Sequence, residues 1–389
     1  MISPVLTGLP VCLLAFIVLG GLAYLLLAIA RTGRFRERRA IASEFTPPAT
    51  LMVPVHGAPR RLYECLSSIC KQDYPAYQVV FGLHSADDPG RKVIEQVMAE
   101  LPEVDFELVV DGRRIGANPK VCNLANMYRA VKHDVIVAVD SDVLVDPHFL
   151  RTIVEPLADP AVGGVTCVYQ GAPDANLPSV LGALHINDWF IPSALVDLNM
   201  GEMRLVYGAT YALTRHSLLA TGGFPARASA VAEDDVLGAL LYKAGFKIRL
   251  APYVVATVVA ESNFRSLFRR ELRWMCTIRA CRPLEHLLSV VMYAQLPGIL
   301  LTAINPAGWT FAMLAAVVAL RWVLHGLVRR RVLNSAAISP WLVPLRDGMS
   351  FLVWAASFFT RSMRWGQHTL HYVGRREIAT KRSDAGAEP

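Results

Sequence analysis

Apolar positions along the chain fall into two kinds of run. Short runs rich in Val, Ile and Leu recur at Thr50–Val55, Gln78–Leu83, Phe106–Val110, Val135–Val139, Gly164–Tyr169, Leu205–Leu213 and Lys247–Leu250. Helix-like stretches separate some of them: Arg61–Lys71, Lys92–Leu101, Lys120–Val131 and Asp235–Ala244. Strand-length runs that are apolar throughout predict strands buried on both faces. Their alternation with helices predicts an α/β domain built on a mostly parallel sheet.

The second kind of run is longer and flanks that domain. Pro4–Ala30 carries no charge over 27 residues, where about 20 cross a bilayer. No Lys or Arg precedes it and five arginines follow within 31–39. That asymmetry predicts a retained anchor with its N-terminus outside and the following chain in the cytoplasm. Leu287–Leu320 is again free of charge, interrupted at Pro297 and at Asn305-Pro306. Two spans are expected there, 287–304 and 308–328, with Arg321 snorkelling or facing protein. Residues 338–360 are apolar apart from Arg346-Asp347, which leaves 13 uncharged residues, Gly348–Thr360, after the pair. A re-entrant or interfacial hairpin fits better than a span and keeps the basic tail inside. The expected organisation is an anchor with its basic flank (1–39), a cytoplasmic α/β domain (40–263), an interfacial helix (264–285), transmembrane or re-entrant helices (286–360) and a basic cytoplasmic tail (361–389).

Composition sharpens this picture. Apolar and aromatic residues make up 53% of the 389 and charged residues 18%, against about 25% charged in soluble domains. Disordered, collagen-like and disulfide-scaffold proteins are excluded. The net charge of +7 lies beside the apolar stretches: blocks 31–39, 321–331 and 361–389 hold fifteen Lys and Arg against four acids, so the remainder is acidic. No basic stripe marks a nucleic-acid partner. The seven cysteines form no CxxC and read as reduced thiols.

Three short motifs carry chemistry. Asp140-Ser141-Asp142 ends the run Val135–Val139. Two carboxylates at i and i+2 on a sheet's carboxyl edge suit a hard cation such as Mg²⁺ or Mn²⁺, whose shell is completed by phosphate and water. The same residues also suit a plain turn. Glu233-Asp234-Asp235 precedes an apolar helix and is either a helix cap with first-turn acids or a source of a general base. Arg270-Glu271-Leu272-Arg273-Trp274 puts two arginines at i, i+3 beside a tryptophan just before the chain turns apolar again. It is either an amphipathic interfacial helix or a guanidinium pair for a diphosphate.

In this order and spacing the motifs resemble the membrane-bound inverting GT-A glycosyltransferases, most closely the ceramide glucosyltransferase family with its bacterial hopanoid-biosynthesis members. Gly116–Leu124, Gly208–Arg215, Thr221–Phe224 and the run 271–279 share in the likeness. The resemblance implies a GT-A fold, a nucleotide-diphospho-sugar transferase sheet domain, plus transmembrane helices. It implies transfer of glucose or N-acetylglucosamine from a UDP-sugar to a hydroxyl of a bilayer lipid, hopanoid or ceramide, in a bacterial inner membrane. Asp140 and Asp142 would hold Mg²⁺ or Mn²⁺. Asp234 would be the base, supported by Glu233. Asn118, Lys120, Arg270, Arg273 and Trp274 would bind substrate. The family's base-contacting aspartate falls on Ser85 here, with Asp87 two residues on as its replacement. A processive polysaccharide synthase and a non-catalytic membrane scaffold are the rival readings. The first normally has Gln where Arg270 stands and needs more spans.

Overall fold

The computed structural model describes residues 4–35, 44–198, 202–333, 338–360, 362–365, 368–374 and 377–380. The chain divides into two compact units, one of residues 38–169, 202–258 and 360–389, the other of 1–37, 170–201 and 259–359.

The first unit holds an eight-stranded sheet. Its strands are β1 (Ala49–Pro54), β2 (Tyr77–Leu83), β3 (Asp105–Val110), β4 (Val135–Val139), β5 (Val143–Leu144), β6 (Val162–Pro173), β7 (Thr210–Thr214) and β8 (Lys247–Val259). They lie in the order β3-β2-β1-β4-β7-β6-β8-β5. The first four are parallel, whereas β7 runs antiparallel to β4 and β6, and β5 antiparallel to β8. Successive residues of a strand point to opposite faces, so each apolar run feeds two cores. Leu51, Val53, Val79, Phe81, Val137 and Val139 pack with Leu66, Ile69, Phe149 and Ile153 of the helices Leu62–Cys70 and Phe149–Val154. Met52, Val80, Ile136 and Ala138 meet Val121 and Leu124 of the helix Pro119–Met127 and Leu237 and Leu241 of the helix Glu233–Lys243. The three strands β2, β1 and β4 are therefore covered on both sides, as their unbroken apolar runs require.

The expected basic tail contains structure. β9 (Ser362–Trp365), β10 (His368–Gly374) and β11 (Glu377–Thr380) form an antiparallel meander, and Glu377 bridges by its backbone to Ala230, just before Glu233. Residues 381–389 of that tail and 36–39 of the N-terminal flank lie outside the described residues.

The second unit is helical. Among the described residues two helices are long and apolar enough to cross a membrane, Pro4–Arg34 and Gly308–Arg331. The stretch expected as a span at 287–304 lies in a bent pair of helices, Pro283–Tyr293 and Gln295–Ile304, at 62°. The anchor helix packs close to this bend, for a Cβ on Gly21 would collide with the Cβ of Ala294. Helix Leu342–Ser357 has only 16 residues. Segment 170–201, expected within the α/β domain, belongs to this unit instead.

Buried ion pairs explain that assignment. Asp188 and Trp189 sit in a π-helical turn, Ile186–Phe190, between the helices Leu177–His185 and Ile191–Asp197. Asp188 accepts from His325 at 2.8 Å, and its carbonyl accepts from Arg321 at 3.1 Å. Arg321 donates twice to Asp347, at 2.7 and 2.8 Å, and Trp189 donates to the same carboxylate. Arg321 therefore faces protein, 3% exposed, rather than snorkelling. Arg346, next to Asp347, makes a two-pronged pair with Glu271 at 2.8 Å on both arms. The charged dipeptide that shortened the last apolar stretch is thus the point at which helix Leu342–Ser357 is tied to two others.

Candidate active site

The carboxyl edge of the parallel strands carries the first motif. β4 ends at Val139, and Asp140 continues from it with its amide donating to Ala209 O at 2.9 Å. The partner of Asp140 is Lys120, at the start of helix Pro119–Met127. The ammonium lies 2.6 Å from Asp140 Oδ1, 2.8 Å from Gly208 O and 3.7 Å from Glu233 Oε1. Burial works against the charge on Lys120, but Asp140 and Glu233 outweigh it and hold its pKa above the ordinary value. Burial also pushes the Asp140 carboxyl up to about 6 although Lys120 pulls the other way. No third His, Cys, Asp or Glu joins Asp140 and Asp142 into a metal-binding group among the described residues.

All three acids of the second motif fall in the first turn of helix Glu233–Lys243, and the cap position is Ala232, with no side-chain bond. The favourable end of the helix dipole therefore acts on every one of them. Their exposures differ: Glu233 and Asp235 are buried at 5% and 8%, whereas Asp234 between them is half-buried. Residues one step apart on a helix point about 100° apart, and Asp234 is the one turned outward. Its carboxyl is pushed up to about 6, first by burial and then by the Glu233 charge. Gly208 makes room for it, since a Cβ there would stand 2.7 Å from Asp234 Oδ2.

Two residues that sequence reasoning missed complete this cluster. Arg227 is fully buried, its Nε 3.1 Å from Glu233 Oε2. Tyr211, on β7, donates to the same oxygen at 3.4 Å. A single arginine in the Gly/Ala-rich loop 222–232 gives no local sign of either contact.

The other expected residues divide. Ser85 and Asp87 stand exposed on the loop after β2, where the Asp87 amide donates to Ser85 Oγ at 3.2 Å. Asp88 beside them is a structural tie that accepts from the amides of Gly57 and Gly90. Asn118, expected to bind substrate, stands just before the helix that carries Lys120. It is fully buried as the cap of helix Pro119–Met127, accepting from Val121 N and donating to Ala230 O. Arg270, Arg273 and Trp274 lie in the other unit on helix Phe264–Cys281, capped by Asn263. There Arg270 pairs with Glu261 at 2.6 Å and lies 4.9 Å from the Trp274 ring, which stacks on His185 at 6.1 Å.

The family described as Glycosyl transferase family 21 matches residues 13–377. A ceramide glucosyltransferase of Gibberella zeae is 30% identical over 151 residues, 35% of this chain and 29% of that protein. Ceramide glucosyltransferase 1 of Caenorhabditis elegans is 23% identical over 250 residues, 63% of this chain and 52% of that one. An N-acetylglucosaminyltransferase of Rhizobium leguminosarum bv. viciae is 21% identical over 276 residues, covering 67% and 64%. The chain thus spans less than two thirds of the length of each of these relatives. The solved mannosyltransferase PcManGT from Pyrobaculum calidifontis, in complex with GDP-Man and Mn²⁺, superposes with a TM-score of 0.57 at 20% identity. That likeness covers 91% of this chain and 99% of that one, and it shows a shared GT-A fold. With Asp140 at the carboxyl end of β4, Asp234 in the first turn of helix Glu233–Lys243, and a match from residue 13 to residue 377, the chain belongs to glycosyl transferase family 21.

Proposed function

We propose that this protein transfers glucose or N-acetylglucosamine from a UDP-sugar to a hydroxyl of a membrane lipid, a hopanoid or a ceramide, with inversion. The observation that carries the reading is the acidic cluster at the sheet edge, where Asp234 alone of three adjacent acids is turned outward beside Lys120 and Asp140. In this reading the Asp234 carboxylate takes the proton of the lipid hydroxyl. The hydroxyl oxygen forms the new bond to the sugar carbon as the bond to the diphosphate oxygen breaks on the opposite face, and UDP leaves.

Asp140 and Asp142 fit a divalent cation, Mg²⁺ or Mn²⁺. Two carboxylates suffice for a hard ion whose remaining ligands are diphosphate oxygens and water. When bound, the ion supplies Lewis-acid neutralisation of the leaving diphosphate. Lys120 adds a fixed positive charge at the same edge. Glu233 supports Asp234, Ser85 and Asp87 contact the nucleotide, and the resemblance alone assigns Arg270, Arg273 and Trp274 to diphosphate and acceptor.

The protein is read as a multi-pass protein of a bacterial inner membrane with the sheet unit in the cytoplasm. The meander of the tail is bridged to the sheet unit at Ala230, so both lie on one side and the chain between them crosses an even number of times. In this reading Gly308–Arg331 and the bent pair are those two crossings, and the 16-residue helix Leu342–Ser357, tied through Asp347 to Arg321 within the second of them, is re-entrant rather than spanning. The N-terminal helix is the one further crossing, with its arginines inside.

The test is a lipid extract from cells with and without the gene, together with purified protein given UDP-glucose or UDP-N-acetylglucosamine. Mass spectrometry should find one lipid class gaining a single hexose or N-acetylhexosamine, and Asp234→Asn should abolish the gain. A ladder of many sugars would favour a polymerase, and no sugar-dependent change would remove the reading.

A further inference from the structure

We propose that Arg227 is a positioning residue for sugar transfer, clamping Glu233 so that Asp234 alone of the two neighbouring carboxylates serves the acceptor. The inference rests on the reading of Asp234 as the base. Arg227 closes the short turn Pro225–Arg227 and points into the protein, its side chain fully covered. Such burial of a guanidinium is costly unless partners compensate it. Part of the compensation comes from the ion pair with Glu233 Oε2 at 3.1 Å, from Tyr211 OH, which accepts from Nη2 at 3.4 Å, and from the Phe224 ring at 4.9 Å, while Nε and Nη1 make no hydrogen bond among the described residues. Tyr211 in turn donates to Glu233, and Lys120 approaches the other Glu233 oxygen at 3.7 Å.

The result is an alternating row, Asp140, Lys120, Glu233, Arg227, in which Glu233 is enclosed by two cations. A carboxylate so enclosed is held in its rotamer, and it cannot swing out to the acceptor beside Asp234. Without Arg227, Glu233 is held from one side only, by Lys120, and is free to turn toward the acceptor beside Asp234. A purely apolar side chain would fill the same volume without the cost of burying a charge, so packing alone gives no reason for an arginine here.

The test is a double-mutant cycle on the full-length protein, with Arg227→Met, Arg227→Lys, Glu233→Gln and the Arg227→Met/Glu233→Gln pair. Lipid glycosylation gives kcat and KM, and calorimetry with UDP and Mn²⁺ gives nucleotide binding. Arg227→Met is expected to lower kcat by about 100-fold while KM for the donor and UDP binding stay within about twofold. Arg227→Lys should recover roughly tenfold of that loss because it keeps the charge. The pair should be no slower than Glu233→Gln alone, since Arg227 acts through Glu233. Additive losses in the pair, or wild-type kcat in Arg227→Met, would overturn the proposal. If Arg227→Met fails to fold, the pair and Arg227→Lys still decide it. The pair removes both buried charges together, and its rate against Glu233→Gln alone remains the readout. An active Asp234→Asn would sink the reading of the base while leaving the cycle to judge the clamp separately.

Discussion

Lys120 Nζ stands 2.6 Å from Asp140 Oδ1, so the first carboxylate of the Asp140–Asp142 pair already holds a cation belonging to the protein. A divalent ion at that pair must share Asp140 with the ammonium or displace it, and only a diphosphate brings enough negative charge to keep both. Without nucleotide, Mn²⁺ should bind weakly, and Lys120→Met should tighten it by about tenfold. With UDP present the order should reverse, because the variant has lost a charge facing the diphosphate. Electron paramagnetic resonance of Mn²⁺ titrations, with and without UDP, measures both. Equal nucleotide-free affinity in the two proteins would show that Lys120 does not compete.

The pH dependence of turnover follows from Asp234. Its carboxyl is raised to about 6 by burial and by Glu233, and a base works only when ionised. At saturating metal and donor, kcat should rise about tenfold per pH unit below that value and flatten above it. The pH–rate profile of purified protein checks this. A limb centred near the ordinary carboxylate value, about 4, would point to an unburied acid instead.

Gly208→Ala should damage catalysis more than stability. The added methyl would stand 2.7 Å from Asp234 Oδ2, which must rotate away, and the conflict is with a side-chain end rather than with backbone. The expected result is at least about a tenfold loss of kcat, with overpacking costing about 1–3 kcal/mol. Kinetics and thermal unfolding of the same preparation separate the two effects. Normal kcat would mean that Asp234 has room to spare.

Breaking the pair between Glu271 and Arg346 tests the helical unit. Both side chains are buried, at 0% and 1% exposure, and removing one partner strands the other's charge. Arg346→Met should cost about 3–5 kcal/mol, and the double variant with Glu271→Leu should regain most of it. Thermal unfolding in detergent measures each. An undiminished midpoint in Arg346→Met would show that the pair contributes little.

Much of the sheet was readable because its strands are apolar end to end and separated by turn residues. β1 and β2 begin one residue outside the predicted runs, and β4 coincides with its run. β7 begins at Thr210 rather than Leu205, because apolarity alone does not distinguish a strand from the buried loop leading into it. The meander was masked by composition: Thr369–Val373 has strand-like content, but its basic neighbours read as a solvated tail. Asp140, Glu233 and Asp234 were visible as local motifs. Arg227 was not, because its contact with Glu233 depends on how a loop folds back. Arg346 and Glu271, 75 positions apart, leave no periodic trace at all.

The π-helical turn at Ile186–Phe190 is, in chain terms, an α-helix carrying one surplus residue. Deleting that residue would restore regular winding and rotate everything on one side of it by about 100° relative to the other. Asp188 and Trp189 could then no longer both meet His325, Arg321 and Asp347. The segment between β6 and β7 thus tolerates exchange of residues far better than a change in their number. In any related sequence, a length difference at this turn should be accompanied by replacement of the charges at 321, 325 and 347.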